Sequence, residues 1–357
     1  MRFGLGLPRV RSLVETELKA RRVPPAPDMV LDGGVFTDRH GVRHPLDLAL
    51  RDRLKPEWRS MLDPVAATKP PTDEVLANRA RKAVKVVAEA SELVAATTGL
   101  PLTGRILEVG CYDGAAAFQL ARRPGTEVVA SDLARYYLVQ RPGTSVDADL
   151  AAQQTRLADI RERARVLADL APGTVGFVED DITRSDLPSA SFDAIVSFEV
   201  LEHVQDPLAA FAGMARLLRP GGVVYHDYNP FFSANGGHSL CTLDLPWGHA
   251  RLDADDFERY VQEIRPSEVD QALRFYHESL NRMTQVDLRA AITAAGLETV
   301  AVVPWFDRRL VPRLDAAIIA EVRRTYPTAV VDDLLATFVA VVARRRPAPD
   351  GRARPES

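Results

Sequence analysis

The stretch from residue 105 to 120, RILEVGCYDGAAAFQL, limits the folds open to this chain more than any other stretch. It begins with a short apolar run at residues 106–109, breaks at Gly110 and Gly114, and continues as an alanine-rich segment at 115–121. A buried strand, a glycine turn and a helix start in this order form a site for part of a nucleotide-like ligand. Glycines let a ligand lie against the backbone, and the free N–H groups at the helix start point towards it.

This stretch resembles motif I of the class I S-adenosylmethionine-dependent methyltransferases, which is usually an acid-x-Gly-x-Gly-x-Gly pattern. Glu108, Gly110 and Gly114 match that pattern, and Tyr112 replaces the middle glycine. The nicotinamide-binding fingerprint fits less well, because Tyr112 and Ala115 occupy its second and third glycine positions. The resemblance implies that Glu108, Gly110, Tyr112 and Gly114 line a cofactor site. The alternative is that the glycines only shape a strand-to-helix turn.

A second buried strand is predicted at residues 127–132, and it ends in Asp132, 22 residues beyond Gly110. An acid at this point can accept two hydrogen bonds from a ribose diol. The resemblance implies this ribose contact for Asp132 and a cofactor contact for the neighbouring Leu133. A helix-capping aspartate is the alternative interpretation.

A third strand is predicted at residues 175–178 and is followed by a run of acids. The resemblance implies that Asp181 binds the adenine amino group and that Ile182 packs on the adenine ring. The neighbouring Asp180 leaves this alignment open by one residue.

The most specific evidence is the segment 187–227, LPSASFDAIVSFEVLEHVQDPLAAFAGMARLLRPGGVVYHD. It closely resembles the methyltransferase stretch built around s-F-D-x-V, L-E-H and L-x-P-G-G. It predicts a fourth strand at 192–198, a helix at 207–218, a Pro-Gly-Gly turn and a fifth strand at 223–226. The resemblance implies that Glu199 contacts the methionine end of the cofactor. The resemblance also places His203 at the mouth of that site, where it contacts acceptor or cofactor or only orients the loop.

The remaining elements complete an α/β fold. A long helix is predicted at residues 72–97, a helix at 284–295, a sixth strand at 297–303 and a seventh within 334–344. The resemblance implies a Rossmann-like, seven-stranded, mostly parallel sheet with helices on both faces. Its seventh strand is antiparallel and enters between the fifth and sixth. We predict this domain over residues 72–345 and a disordered tail over 346–357.

The segment after the fifth strand, residues 227–282, is unusually long and rich in aromatics, glycines and histidines. Long segments of this kind in compact domains are often functional, so we predict a lid and acceptor pocket here. Neutral imidazole is a suitable base at cellular pH. Our candidate bases are His238, where adjacent glycines let backbone approach a ligand, then His249, with His203 and His226 as further candidates. The alternative is that these histidines hydrogen-bond loop backbone.

A divalent metal bound by Asp227 with His226, His238 or Asp244 is a further alternative, since some methyltransferases use magnesium to acidify paired hydroxyls. No tight ligand spacing in the sequence supports this site. We therefore assign no metal ligands from the sequence.

Residues 1–71 form an arm whose role the sequence does not assign. Prolines at 24–27 predict a linker, and residues 46–62 predict one or two short helices interrupted at Pro56. We expect a mainly helical arm that covers the active site, supports a homodimer or binds a partner.

The composition restricts the kinds of partner and function that we expect for this protein. The 357 residues carry a net charge of −4 and only two cysteines, which argues against a nucleic-acid partner and excludes a disulfide framework. No apolar run approaches the roughly 20 residues that span a bilayer, and we expect a cytoplasmic protein without a membrane partner. We predict S-adenosylmethionine-dependent methyl transfer to a small-molecule acceptor, with oxygen favoured, in natural-product or sugar tailoring. The alternatives are a methyltransferase acting on protein or RNA, and a catalytically silent cofactor-binding homologue.

Overall fold

The structure is a computed structural model that describes residues 34–63, 69–139 and 146–347. The proline linker at 24–27 and most of the predicted tail lie outside the described residues. A two-stranded sheet in the arm precedes one seven-stranded sheet. The strands in chain order are β1 (Val35–Thr37), β2 (Arg43–Pro45), β3 (Gly104–Val109), β4 (Thr126–Asp132), β5 (Val175–Glu179), β6 (Phe192–Phe198), β7 (Leu218–Tyr228), β8 (Leu297–Phe306) and β9 (Ala336–Arg345).

The large sheet has the strand order β5-β4-β3-β6-β7-β9-β8. The first five strands in this order pair in parallel, whereas β9 pairs antiparallel with both β7 and β8. The predicted seven-stranded sheet, with its last strand antiparallel and inserted before β8, is therefore confirmed.

Helices cover both faces of this sheet and fill the segments that connect it. In chain order they are α1 (Leu50–Leu54), α2 (Trp58–Leu62), α3 (Asp73–Thr98), α4 (Ala115–Ala121), α5 (Tyr136–Val139), α6 (Val146–Leu167), α7 (Pro207–Leu217), α8 (His238–Cys241), α9 (Gly248–Arg251), α10 (Ala254–Ile264), α11 (Val269–Glu278), α12 (Gln285–Ala294), α13 (Ala316–Thr325) and α14 (Val331–Leu335).

Local signals in the sequence explain where the longer helices begin and end. The Thr72 hydroxyl accepts a hydrogen bond from the Val75 N–H at 3.3 Å and caps α3, and Gly99 ends that helix with a φ of 72°. Thr284 and Asp287 form a reciprocal capping box at the start of α12. These caps fix the helices that pack on the sheet close to the predicted bounds.

Successive side chains of each strand point to opposite faces of the sheet, so the hydrophobic core is divided between the two faces. In β3, Ile106 packs in the cluster beneath α3 and α4, whereas Leu107 and Val109 pack in the cluster beneath α7 and α12. Because successive side chains of a strand point to opposite faces, one short strand anchors both layers. The sheet is thereby fixed rigidly beneath the loops at its carboxyl edge.

The structure differs from the sequence-based expectation in three places. The Pro-Gly-Gly predicted as a turn lies within β7, where the pairing register with β6 shifts between Phe192 and Ala194. The arm is not only helical, because β1 and β2 form an antiparallel pair whose three-residue strands give too short a pattern to recognise. The segment after β7 is not a loop but carries α8 to α11 around a hydrophobic core of its own.

The arm packs on the insertion that follows β7. The Arg51 guanidinium of α1 is 2% exposed, and it donates to the Glu268 carboxylate at 2.7 Å and to the Ser239 carbonyl at 2.9 Å. Phe36 of β1 meets Tyr260 of α10 edge to face, with ring centroids 5.2 Å apart. The described part of the arm and the insertion therefore share one core, to which α13 also contributes.

Candidate functional site

The predicted cofactor residues lie where parallel strands end at one edge of the sheet. Val109 at the end of β3 pairs with Ser131, next to Asp132, and Asp132 itself pairs with Glu179 at the end of β5. On the other side of β3, the end of β6 leads into Glu199. In open α/β sheets, ligands bind outside the carboxyl ends of the strands, so this edge is the candidate site.

The turn between β3 and α4 needs both of its glycines. Gly110 and Gly114 have φ angles of 76° and 79°, a left-handed backbone that glycine adopts without strain. A Cβ on Gly110 would lie 2.4 Å from a methyl carbon of Val200, and a Cβ on Gly114 would lie 2.8 Å from the Phe177 ring. The turn is therefore held by close packing against the neighbouring strand ends.

Tyr112 forms part of an aromatic and cationic cover over this turn. It also has a left-handed backbone, with φ 42°. The Arg79 guanidinium lies 4.9 Å from the Tyr112 ring centroid, and the Tyr137 ring centroid lies 4.9 Å away. A bulky side chain thus stands where the related motif has its middle glycine.

Asp132 is buried and accepts four hydrogen bonds. Its Oδ1 accepts from the Leu133 N–H at 2.8 Å, and its Oδ2 accepts from the Tyr112 N–H at 2.7 Å. Oδ2 also accepts from the Tyr137 hydroxyl at 2.9 Å and from Arg161 at 3.2 Å. Burial raises the pKa of Asp132, whereas the Arg161 charge lowers it. A ribose diol offers two hydroxyl donors, the same number as Tyr137 and Arg161 supply, so the site fits a ribose that replaces them.

Glu108 lies beneath the turn rather than at its open side. It is 3% exposed, and its Oε2 has no hydrogen-bond partner among the described residues. Burial raises the pKa of this carboxyl well above its ordinary value, and Asp113 and Asp132 raise it further.

The two acids that follow β5 differ in their hydrogen bonding. Asp181 accepts from the Thr183 N–H at 3.0 Å and the Thr183 hydroxyl at 2.7 Å, and it pairs with Arg184 at 3.2 Å. Asp180 keeps one buried carboxylate oxygen without a partner in the described chain. Ile182 is 4% exposed and packs in the core beneath α7. The adenine contacts of Asp181 and Ile182 stay predictions, and Asp180 is the less engaged of the two acids.

Glu199 lies exposed at the mouth of the site, immediately after β6. Its backbone is left-handed, with φ 55°, and its N–H donates to the Asp227 carbonyl and carboxylate, both at 3.0 Å. Burial raises the pKa of the Asp227 carboxyl to about 7. Asn229 approaches the Glu199 carboxylate at 3.5 Å. Strand pairing thus holds the backbone of Glu199 in place and leaves its side chain available.

The four candidate histidines separate into a pair at the site and two core residues. The His203 and His238 ring centroids are 5.0 Å apart, and both rings contact Phe275. His249 is fully buried inside the insertion, where its Nε2 bonds the Phe231 carbonyl at 2.8 Å. His226 is 1% exposed and packs beneath α7. Only His203 and His238 share one location at this edge.

Burial keeps the pair of imidazoles uncharged. It lowers the pKa of His203 to about 4 and lowers the pKa of His238 well below its ordinary value. Lys55 of the arm contributes a charge that lowers the pKa of His238 further, and burial lowers the pKa of Lys55 itself. A neutral imidazole has a lone pair for a proton or a metal ion.

The metal set considered from the sequence is not brought together by the structure. Asp244 lies inside the insertion, where it accepts from the Tyr260 hydroxyl at 2.7 Å and pairs with Arg265 at 2.7 Å. His226 lies in the core, where its Nδ1 bonds the Ser197 hydroxyl and its Nε2 contacts the Met214 sulfur at 3.1 Å. Neither residue can join Asp227 in one coordination sphere.

We expect His226 to make the protein acid-sensitive. Burial lowers its pKa to about 3 from an ordinary 6.5, so the folded state holds fewer protons than the unfolded state between these values. Its contribution to stability is present above pH 6.5 and falls as the pH drops towards 3. At roughly 1.4 kcal/mol per pKa unit, wild type should lose roughly 2 kcal/mol between pH 7 and 5 that His226→Gln does not lose.

Urea unfolding at several pH values measures this difference. The exposed His277→Gln variant serves as the control and should follow wild type. A wild-type and a His226→Gln stability that fall in parallel would contradict the assignment.

Several residues at this edge were not identified from the sequence. Tyr136 lies 5.2 Å from His203, between ring centroids, and Tyr137 and Arg161 bond Asp132. The two tyrosines follow Asp132 closely in sequence, which is a usable signal. Arg161 and Lys55 come from distant segments, and no local pattern marks them.

A family model described as a methyltransferase domain matches residues 75–302, which is more than half of the 357 residues. The chain belongs to the methyltransferase-domain family. The match confirms the resemblance to class I S-adenosylmethionine-dependent methyltransferases, and S-adenosylmethionine is the cofactor of this domain. The narrower subtype built around Leu-Glu-His stays a prediction.

Curated relatives of the methyltransferase domain include two bacterial proteins named ubiquinone biosynthesis O-methyltransferase. The one from Xanthomonas campestris is 31% identical over 183 residues, covering 51% of this chain and 65% of the relative. The one from Alkalilimnicola ehrlichii is 33% identical over 176 residues, covering 48% of this chain and 58% of the relative. The chain thus spans less than two thirds of the length of these relatives.

Solved structures with a similar fold include a putative sarcosine dimethylglycine methyltransferase from Galdieria sulphuraria. It has a TM-score of 0.43 and 16% identity, and the match covers 73% of this chain and 86% of that one. A geranyl diphosphate C-methyltransferase from Streptomyces coelicolor has a TM-score of 0.37 and 16% identity, with 72% and 75% covered.

Within the described residues, no helix is both long and apolar enough to span a membrane.

Proposed function

We propose that this protein transfers a methyl group from S-adenosylmethionine to a hydroxyl oxygen of a small-molecule acceptor. The observation that carries the proposal is the pair of uncharged imidazoles, His203 and His238, in the segments that follow β6 and β7 at the carboxyl edge of the sheet. An acceptor that starts as an alcohol or phenol must lose a proton, whereas an acceptor that starts as a free amine need not. The names of the curated O-methyltransferase relatives support the same class of reaction.

S-adenosylmethionine supplies a methyl group on a positive sulfonium, so that the C–S bond breaks as a C–O bond forms and sulfur becomes neutral. The residues of this chain bind and orient the two reactants. Asp132 would hold the ribose, Glu199 the methionine amino group, and the β3–α4 turn the backbone between them. Because the transfer removes charge, positioning contributes most of the rate, worth several kcal/mol.

The acceptor would lie over His203 and His238, against Tyr136 and Phe275, whose rings surround the two imidazoles. These aromatic faces favour a flat or apolar acceptor body, and the imidazoles activate its hydroxyl. Both imidazoles are half-buried, which limits the access of competing water to this spot.

The direct test is a product assay with the full chain. The protein is incubated with S-adenosylmethionine and matched acceptors that carry a hydroxyl, an amine or a nucleophilic carbon on the same phenyl or sugar body. S-adenosylhomocysteine and the methylated product are measured by mass spectrometry. Release of both only with hydroxyl acceptors supports the proposal, and product only with amine or carbon acceptors would overturn it.

His238→Asn separates activation of the acceptor from cofactor binding. Asparagine tolerates the left-handed backbone of this position, where φ is 52°, so the fold should survive. We expect turnover to fall at least roughly 100-fold while cofactor affinity changes less than about twofold, in line with the usual weight of acid–base groups. Unchanged turnover would contradict a role for His238.

Asp132→Asn tests the ribose contact. The change removes the charge and one acceptor from a buried group, and hydrogen bonds to charged groups contribute about 1.5–3 kcal/mol. We expect the affinity for S-adenosylhomocysteine, measured by calorimetry, to fall by roughly 10- to 100-fold. The exposed Asp159→Asn on α6 is the matched control and should bind as wild type does. Affinity retained in Asp132→Asn would remove the ribose assignment.

A further inference from the structure

A cluster of three metal-binding side chains lies at the proposed acceptor position. Glu202 and His203 belong to the short turn after β6, and His238 begins α8 in the insertion. Each offers one ligand atom, and these atoms all lie within 4.8 Å of one another. Two segments about 35 residues apart in sequence therefore converge on one point.

Two of these side chains present buried atoms without a partner. Glu202 is 1% exposed, and its Oε2 has no hydrogen-bond partner among the described residues. The Nε2 of His238 is buried and equally without a partner in that part of the chain. Buried polar atoms are nearly always bonded in folded proteins, so an unpaired carboxylate oxygen and an unpaired imidazole nitrogen within one cluster indicate a missing ligand.

The remaining atoms of the cluster are held in the orientation that a metal site needs. The Nδ1 of His203 lies 2.6 Å from the Ser279 carbonyl, which can only accept, so Nδ1 carries the proton and Nε2 keeps its lone pair. The Oε1 of Glu202 accepts from the Asn229 N–H at 3.1 Å. Hydrogen bonds of this kind orient metal-binding histidines and carboxylates and fix the tautomer.

The ligand set selects the class of ion. Two imidazoles and one carboxylate bind Zn²⁺ and similar first-row ions, whereas Mg²⁺ prefers oxygen ligands alone. Three protein ligands leave at least one position for a further oxygen, as catalytic zinc sites do. A water molecule bridging the same atoms would bind without these preferences.

We propose that Glu202, His203 and His238 bind a divalent transition-metal ion whose open position receives the acceptor oxygen. The role of the ion rests on the proposed function, although its binding does not. With the ion present, the imidazoles act as ligands and the metal acidifies the acceptor hydroxyl. The O–H bond breaks, its proton passes to solvent, and the metal-held oxygen carries the electron pair that forms the new C–O bond.

Binding is tested on the full chain after dialysis against EDTA and then against metal-free buffer. ZnCl₂ and MgCl₂ are titrated separately by calorimetry in the absence of S-adenosylmethionine. We expect one Zn²⁺ per chain with a Kd below about 1 μM, and at least a 100-fold weaker response to Mg²⁺ because two of the three ligands are nitrogens. CoCl₂ should give visible absorption bands typical of four or five ligands.

Two substitutions and one control locate the ion. Glu202→Gln keeps the acceptor for the Asn229 N–H and removes the charge, and His238→Asn removes the imidazole at a position where asparagine fits. Each should weaken zinc binding at least 100-fold and abolish the cobalt bands, with near-ultraviolet circular dichroism confirming the fold. His277→Asn on the exposed face of α11 should bind as wild type does.

Three results would overturn the proposal. These are no zinc binding by wild type at 100 μM, zinc binding unaltered in both variants, and equal affinity for Mg²⁺ and Zn²⁺. Methyl transfer to a hydroxyl at full rate in the presence of EDTA would also overturn the metal role while leaving the proposed function in place. Zinc binding by wild type without methyl transfer to any hydroxyl acceptor would instead count against the proposed function.

Discussion

Gly110→Ala is expected to destabilise the protein by roughly 3 kcal/mol and to weaken cofactor binding at the same time. Part of the effect is the left-handed backbone at φ 76°, which costs a residue with a Cβ about 1–2 kcal/mol. The rest is overlap, because the new methyl would lie 2.4 Å from Val200 Cγ2 and 2.9 Å from Cγ1. Inserting one carbon into close packing typically costs about 1–3 kcal/mol.

Gly125 provides a matched control for the cost of placing a Cβ on a left-handed backbone. Its φ of 71° is nearly the same, yet a Cβ there would meet nothing within 4 Å. Gly125→Ala should therefore cost only about 1–2 kcal/mol, which urea unfolding of both variants can measure. Equal losses in the two variants would show that contact with Val200 is unimportant.

A second substitution tests the contact directly. Val200→Ala removes the two methyl carbons nearest to the added Cβ and leaves only its own Cβ at 3.2 Å. In the Gly110→Ala background it should restore the part of the stability and cofactor affinity that is lost to the overlap, although alone it would destabilise the protein. A double-mutant cycle measures this coupling, and simple additivity of the two changes would contradict it.

Trp247→Ala is expected to cost about 4 kcal/mol and to disrupt the insertion rather than the sheet. Trp247 is 1% exposed, and its indole N–H donates to the Leu334 carbonyl at 2.9 Å. Truncating a buried tryptophan typically costs about 3–5 kcal/mol, and the carbonyl would lose its donor. Because α8 belongs to the same unit, we expect turnover to fall more than cofactor affinity.

Two further tryptophan variants separate the causes of that loss. Trp247→Phe keeps an aromatic ring but removes the N–H donor and the rest of the pyrrole ring, so it should cost less than Trp247→Ala, about 1–3 kcal/mol. Trp305 is 42% exposed on β8, and Trp305→Ala should cost less than about 1 kcal/mol. Thermal unfolding compares the three, and a similar midpoint for both alanine variants would contradict the assignment.

The sheet could be predicted from the sequence because the signals that mark each strand and helix lie within that element. Each strand is a short apolar run bounded by glycine, proline or acid, and the helices that pack on it carry their own caps, such as Thr72 and Thr284. The resemblance then supplied the strand order, including the inserted antiparallel β9. The domain bounds at 72 and 345 stay predictions.

The insertion was predicted as a lid but not as a helical unit. Its helix α10 carries Phe257, Tyr260, Val261 and Ile264 at helical spacing, which is a signal that the sequence does contain. What no local pattern contains is the origin of its partners, since Arg51 and Phe36 come from the arm. Pairing over such separations depends on the whole fold.

For the candidate site too, the sequence indicated some residues and left others undetermined. The sequence indicated Asp132, Glu199 and the histidines by type and position, because the resemblance marks the ends of strands. It could not separate His203 and His238, which converge, from His226 and His249, which are buried elsewhere. That distinction depends on which face of a strand or helix each ring occupies, and a shift of one residue reverses it.

The core shared by the arm and the insertion also determines which parts of the protein can finish folding first while the chain is being synthesised. Arg39 in the arm donates its N–H to Asp256 of α10, a contact that spans 217 residues. At about 5–20 residues per second, the arm is exposed for roughly 10 to 40 seconds before that partner has been synthesised. The insertion core also needs Leu334 near the end of the domain. The proposed acceptor end of the site therefore matures last, after the parallel strands at the proposed cofactor end have all emerged.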